Sequence, residues 1–261
     1  MIFCPLFSGS SGNSVFVSDG NTRILIDAGV AGKNIERELT NIGENPSEID
    51  GIFVTHEHID HIKSVGVLSR KHNIPIYANE LTWNAMESKL GKLKMENIKL
   101  LDKKYIDIKD MTIENFKIHH DAVDPRGYAF RSKNKVAAVA TDLGHFSEEV
   151  KNVLKEADVF LLESNHDIEM LKFGPYPYVL KKRILSDIGH LSNEACGNAI
   201  LDILGDNLKN IYLGHLSKTN NYPQLAYETV ISVLKENKVQ IGTDVNITMA
   251  NRDKHSDVIC V

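Results

Sequence analysis

The chain has 261 residues, 42% hydrophobic and 25% charged, which is ordinary for a globular protein able to bury a sizeable core. With 30 Lys and Arg against 35 Asp and Glu, the net charge of −5 excludes a global basic field, so nucleic acid would have to meet a local patch. The 3 cysteines (Cys4, Cys196, Cys260) form no CxxC, and no basic leader or membrane-length apolar run is present; the expectation is one cytoplasmic domain over 1–261, without membrane segments.

In chain order, the first 60 residues read as strand, turn, strand, strand, helix, strand. "SVFVSDG" and "TRILIDAG" are β-branched runs joined through Asp19-Gly20-Asn21, a hairpin signal. "GKNIERELTNIG" places Ile35, Leu39 and Ile42 at helical spacing, and "IDGIFVTH" reads as a buried strand. One helix is expected over "DHIKSVGVLSRKHN", then strand "IPIYAN" and a helix from Glu80. Between about 98 and 140 the extended runs are "NIKLL", "TIENFKIHH", "GYAFRS" and "KVAAVATD". Helix "SEEVKNVLKEA" follows with Ser147 as cap, then strand "DVFLLESN", helix "SNEACGNAILDIL", strand "LKNIYLGH", helix "YPQLAYETVISVLKEN" and a strand-like tail. Two β-rich halves that each end in strand–helix alternation predict an α/β fold, a four-layer αββα sandwich of two mixed sheets flanked by helices; periodicity alone also allows a doubly wound sheet.

The dense feature is "THEHIDH", which sets His56, His58, Asp60 and His61 directly after an apolar strand. In an extended segment, positions 56, 58 and 60 point to one side. Further donors end other predicted strands: Asp27, the His119/His120 pair, Asp142 and His215. Strand ends at one edge are where a rigid scaffold places chemistry. A set of imidazoles and carboxylates without thiolate suits zinc, manganese or iron in an open site. Counting one of the 119/120 pair, the candidates exceed what a single tetrahedral ion takes and match two divalent ions sharing a carboxylate. His72, His145 and His255 are left as structural or solvated.

These residues resemble the metallo-β-lactamase superfamily, whose fold is the αββα sandwich with a binuclear metal site. The resemblance implies that His56, His58 and His120 hold one ion, that Asp60, His61 and His215 hold the other, and that Asp142 bridges them. Asp27 would brace a ligand. His120 is chosen over His119 through the "HDA" element of the family; spacing alone does not separate them. "SGSSGNS", "ATDLGH", "LLESNHD", "GPYPYVLKKRILSDIGHLSN" and "GHLSKTNN" resemble more narrowly the YycJ/WalJ-like branch, with features of the RNase Z type. That branch implies a cytoplasmic phosphodiesterase with DNA exonuclease activity, running 5′ to 3′, in which a hydroxide shared by the two metals attacks. Asp60 would orient that nucleophile or accept its proton, and His190 would contact phosphate or protonate the leaving group.

Candidate substrate contacts are Ser10 and Asn13 in the hydroxyl-rich loop, His166, Lys182 and Arg183 in "LKKR", and Lys218 and Asn220. DNA is expected as partner ahead of RNA. A metal centre of this kind hydrolyses carbonyl and phosphoryl compounds alike, so a small phosphodiester or thioester, or a metal-containing regulatory module, is the alternative. The strand-like tail differs from the helical C-terminal region of thioester hydrolases, and a β-CASP nuclease would need a large inserted domain. Neither is expected from this sequence.

Overall fold

In the computed structural model, residues 1–205 and 207–261 are described. The N-terminal half builds a sheet from β1 (Ile2–Phe7), β2 (Ser14–Ser18), β3 (Arg23–Ile26), β4 (Gly51–Phe53), β5 (Ile76–Ala78) and β6 (Ile98–Leu100). A second sheet follows: β7 (Tyr105–Ile108), β8 (Met111–Lys117), β9 (Arg126–Ser132), β10 (Lys135–Ala140), β11 (Val159–Glu163), β12 (Lys209–Gly214) and β13 (Val245–Met249). The final strand, β14 (Ile259–Cys260), returns to pair with β1, so each sheet has 7 strands, ordered β14-β1-β2-β3-β4-β5-β6 and β13-β12-β11-β10-β9-β8-β7. Both are mixed: β3 to β6 and β10 to β13 run parallel, and the other neighbours are antiparallel.

The helices are α1 (Gly32–Asn41), α2 (Ile59–Ile62), α3 (Val65–His72), α4 (Glu80–Leu90), α5 (Glu148–Glu156), α6 (Ile168–Phe173), α7 (Tyr178–Ile184), α8 (Asn193–Ile203) and α9 (Pro223–Glu236). None is long and apolar enough to cross a membrane. Three apolar layers separate four structural ones. Ile35, Leu39, Val65, Leu68 and Met86 pack the N-terminal helices on the first sheet. Val150, Leu154, Ile200, Val230 and Leu234 pack α5, α8 and α9 on the second. Phe3, Phe53, Tyr128, Phe130 and Tyr212 fill the space between the sheets. Strands buried on both faces have to read as continuous apolar runs, which is why "GIF", "VFLLE" and "NIYLG" stand out in the sequence. The fold is the expected αββα sandwich.

Local chemistry sets the helix ends. Ser147 accepts from the Val150 amide and Ser192 from the Ala195 amide, each filling an N-terminal donor of α5 or α8. The single helix expected over 60–73 is two, α2 and α3. At the break, the Ser64 amide donates to the Ala28 carbonyl and its hydroxyl to that of Val30, so the chain is drawn onto the loop after β3 instead of continuing its own ladder. Three elements escaped the periodicity. The edge strand β7 buries no face fully, and α6 and α7 are short and largely exposed, with no apolar period to read.

Candidate metal centre and the adjoining pocket

The donors gather where parallel strands of both sheets end. Asp27 follows β3, His56 and His58 follow β4, Asp142 follows β10, Glu163 ends β11 and His215 follows β12. Asp27, Asp142 and His215 take left-handed backbone, with φ of 60°, 59° and 54°. Non-glycine residues reach that region at a cost, and the surrounding structure must hold them there. For the 55–61 loop the hold is visible. The Asp60 carbonyl accepts from the Asn13 amide and the His61 carbonyl from the Ala28 amide, and a Cβ on Gly29 would lie 1.5 Å from the Asp60 oxygen. Only glycine permits that approach.

Hydrogen bonds to Nδ1 of four imidazoles turn their Nε2 atoms towards the centre, where His61 Nε2 also meets Asn13 Nδ2 at 3.1 Å. His61 Nδ1 donates to Asp27 Oδ2 (2.7 Å), His120 Nδ1 to the Gly189 carbonyl (3.2 Å) and His215 Nδ1 to Asn13 Oδ1 (3.2 Å). The Thr55 hydroxyl donates to Asp27 Oδ2 (2.8 Å) and therefore accepts from His56 Nδ1 (2.9 Å). Each Nε2 is thereby held as a lone-pair donor, the orientation a metal-binding histidine needs. His215 Nε2 lies 3.2 Å and His120 Nε2 3.6 Å from Asp142 Oδ1, and His61 Nε2 lies 3.3 Å from Asp142 Oδ2.

These residues fit a pair of metal ions. Three sets have ligand atoms within 4.8 Å of one another: His56, His58 and His120; His56, His61 and Asp142; and Asp142, Glu163, His190 and His215. Asp142 Oδ2 is buried with no hydrogen-bond partner, which a carboxylate tolerates only with a cation in reach. His56 Nε2 faces His58 Nδ1 at 3.0 Å, two nitrogens that need a cation or proton between them. Burial, with neighbouring imidazoles, depresses the basicity of His56 and His58, keeping them neutral as ligands must be. Burial also opposes charging of His61, but Asp27 and Asp142 outweigh it and hold its pKa well above the ordinary value. Burial likewise disfavours ionised Asp142, and His215 and His61 reverse that, pushing it well below the usual carboxylate range. The negative field at the strand ends calls for positive charge.

Some sequence-predicted residues fall elsewhere. Asp60 stands outside the three sets: it is part exposed, with Oδ2 3.6 Å from His61 Nε2. His119 turns away to bridge His145, and His120 faces the cluster. Asn13, expected in a phosphate cradle, is buried between His61 and His215, where it orients both rings. His166 and Asn220, expected to contact substrate, are buried, with unpartnered side-chain atoms. Lys218 lines a separate groove with Tyr222 and Arg252. His72 and His255 pair with Glu36 and Glu38, a structural use.

Glu163 was not anticipated as a positioning group. Its Oε2 accepts from the Leu143 and Leu191 amides and its Oε1 from His190 Nδ1 at 2.7 Å, so both oxygens are spoken for. Burial alone would keep His190 neutral; the Glu163 carboxylate wins and raises its pKa to about 9. A cavity of about 180 Å³ opens beside His190, lined among others by Ser10, Asn165, Tyr176, Arg183 and Ser217. Arg183 forms an ion pair with Asp121 at its edge. Lys182 faces the opposite side of α7, in another groove.

The family profile described as the beta-lactamase superfamily domain matches residues 22–215. The chain is 44% identical over 247 residues to exodeoxyribonuclease YycJ of Bacillus anthracis, covering 92% of this chain and 91% of that one. It is 43% identical over 245 residues to exodeoxyribonuclease WalJ of Streptococcus pneumoniae, covering 93% and 91%. Unliganded yeast PDE1 superposes with a TM-score of 0.71 at 13% identity, covering 97% of this chain and 98% of that one, a likeness of fold. The strand-end His/Asp clusters, the sandwich that carries them and these matches together place the chain in the metallo-β-lactamase superfamily, as a close homologue of the YycJ/WalJ exodeoxyribonucleases.

Proposed function

We propose that the protein is a cytoplasmic DNA exonuclease that hydrolyses phosphodiesters at a centre of two divalent ions, zinc, manganese or iron, digesting from the 5′ end. The observation that carries this reading is His190. Glu163 holds its Nδ1 and favours its protonated form, and His190 lines a cavity together with Arg183. A thioester or lactam hydrolase has less use for a cationic acid aimed at a departing alkoxide beside a guanidinium. The extended identity to two exodeoxyribonucleases supports DNA as the substrate.

His56, His58 and His120 would hold one ion and His61 and His215 the other, with Asp142 shared and Asp60 completing the second set. Bound there, the ions would lower the pKa of water and draw charge from the phosphoryl oxygens. The protein's own groups do the rest. Arg183 and the Ser10 and Ser217 hydroxyls orient the phosphate in the cavity. Asp60, a partly exposed carboxylate beside His61, takes a proton from the attacking water as its oxygen bonds to phosphorus. His190 gives its Nε2 proton to the oxygen leaving phosphorus, and Glu163 stabilises the imidazolium before that transfer. Asp27 keeps His61 in its tautomer through the cycle.

The test is digestion of linear duplex DNA labelled at the 5′ or 3′ end, with single-stranded DNA and RNA in parallel, by wild type and Asp60→Ala. Stepwise release of the 5′ label by wild type alone is expected. A preparation carrying two ions per chain that digests none of them would overturn the nuclease assignment.

A further inference from the structure

Among the described residues, 15 large apolar side chains are exposed, and 5 of them fall between 173 and 188. Phe173, Tyr178 and Val179 are 84%, 78% and 79% exposed, and they cluster at the "FGPYPYV" tip that joins α6 to α7. Such a patch on a water-soluble surface marks an interaction site. The tip is also rigid at its root. Asp167 caps α6 through the Met170 amide, and the Asp167 amide donates to the buried Asn220. A Cβ on Gly174 would come within 2.4 Å of the Met170 carbonyl and 2.7 Å of Asn220 Oδ1. Pro175 and Pro177 fix the backbone between, and Lys181 Nζ ties α7 to the Lys172 carbonyl at 2.7 Å.

The surroundings name the partner. From 168 to 186 the segment carries Lys172, Lys181, Lys182 and Arg183 against Glu169 alone, in a chain of net charge −5. Helix α7 has a cavity on each side. The inner one is the His190 pocket, reached by Tyr176, Leu180 and Arg183. The outer one, about 400 Å³, is formed by Tyr178 and Leu185 with the stems of Lys172, Lys181 and Lys182. Apolar walls rimmed by ammonium groups suit a nucleobase and its phosphate, as in single-strand stacking platforms.

We propose that the α6–α7 tip is a strand-separating wedge: Phe173, Tyr178 and Val179 stack against the last base pair of a duplex end, one strand entering the His190 pocket and its complement leaving along the outer groove. The wedge rests on the nuclease assignment above and adds to it a duplex end as the preferred substrate. Stacking on the exposed rings replaces the base-pair stacking that is lost, and the lysines follow the displaced phosphates.

The experiment compares wild type with Phe173→Ala/Tyr178→Ala/Val179→Ala on three 5′-phosphorylated DNAs: a blunt duplex, the same duplex with its end already unpaired, and a single strand. All three side chains are exposed, so the variant keeps its core. Expected is a loss of about tenfold or more in rate on the blunt duplex, with rates on the unpaired end and single strand within about twofold. A 2-aminopurine in the terminal pair brightens on binding wild type carrying Asp60→Ala, and much less with the triple variant added. Equal losses on all three DNAs, or none, would overturn the wedge and leave the nuclease standing. Wild type that digests no DNA would take down both. A patch that instead draws the protein to anionic vesicles, with duplex digestion unchanged in the variant, would also overturn it.

Discussion

The two sheets meet in one centre but deliver their donors differently. The N-terminal sheet places His56, His58 and His61 on one segment that runs from β4 into α2, strapped by backbone bonds to Asn13 and Ala28. The C-terminal sheet supplies His120, Asp142 and His215 one at a time, each at the end of its own strand or just beyond it. A segment of three donors is positioned once. Scattered donors must each be positioned separately, and two of them, Asp142 and His215, need left-handed backbone to reach the centre. The difference points to the C-terminal half as the fragile one, at Asp142, the one carboxylate common to two of the three donor sets; His56 is the imidazole that recurs on the other side.

Asp142→Asn puts the strongest strain on that comparison. It keeps the shape and removes the shared charge, so kcat/KM on DNA should fall by at least about 10³-fold, with metal content by elemental analysis dropping below two per chain. His58→Ala, on the clustered side, should spare more bound metal. If both variants lose metal equally, the asymmetry between halves is wrong. His190→Ala should slow DNA digestion by about 10²-fold and hydrolysis of bis(p-nitrophenyl) phosphate by less than about tenfold, because nitrophenolate leaves without a proton. Equal losses on both substrates would make His190 a phosphate contact and not an acid. Asp27→Asn should weaken metal affinity by about 10- to 100-fold, read by competition with a chelating dye, since it frees the tautomers of His61 and Thr55-linked His56 together.

The smallest effect is expected away from the centre. Burial pushes the Glu38 carboxyl up, but hydrogen bonds from His255 and Arg37 overcome it and bring its pKa down to about 2. A depressed carboxylate stabilises the fold fully above its unfolded pKa, and that contribution fades as pH drops from about 4.5 towards 2. Glu38→Gln should therefore lower Tm by a few degrees at pH 7, with a gap that closes on acidification, and leave DNA digestion unchanged. A gap that widened in acid would reverse the sign of this pair.

Much of this was legible in the sequence, for identifiable reasons. The two-faced burial of β4, β11 and β12 wrote itself as apolar runs, and the donors stood out because they end those runs. Spacing could not separate His119 from His120, because the bridge to His145 that turns His119 away is formed across a long loop. Glu163 looked like the end of a strand, since its use depends on His190 arriving from another segment. The contacts of Asn13 with His61 and His215 were not legible, because a loop rich in serine and glycine does not say which side chain points inward. The wedge helices were invisible to periodicity because what they expose is apolar and what they bury is little.

The left-handed backbone at Asp27, Asp142 and His215 also bears on how such a protein can drift. Aspartate and asparagine meet that cost most cheaply among residues with a side chain, so two of the three positions can mutate by one small step that preserves the fold. Histidine sits less easily. Selection for thermal robustness alone would reward its exchange for glycine or asparagine before that of any other donor, relieving the backbone while emptying one ligand position. His215 is thus the place where a lineage freed from its catalytic duty should first show the change, and where a stability screen without an activity screen will find its easiest gain.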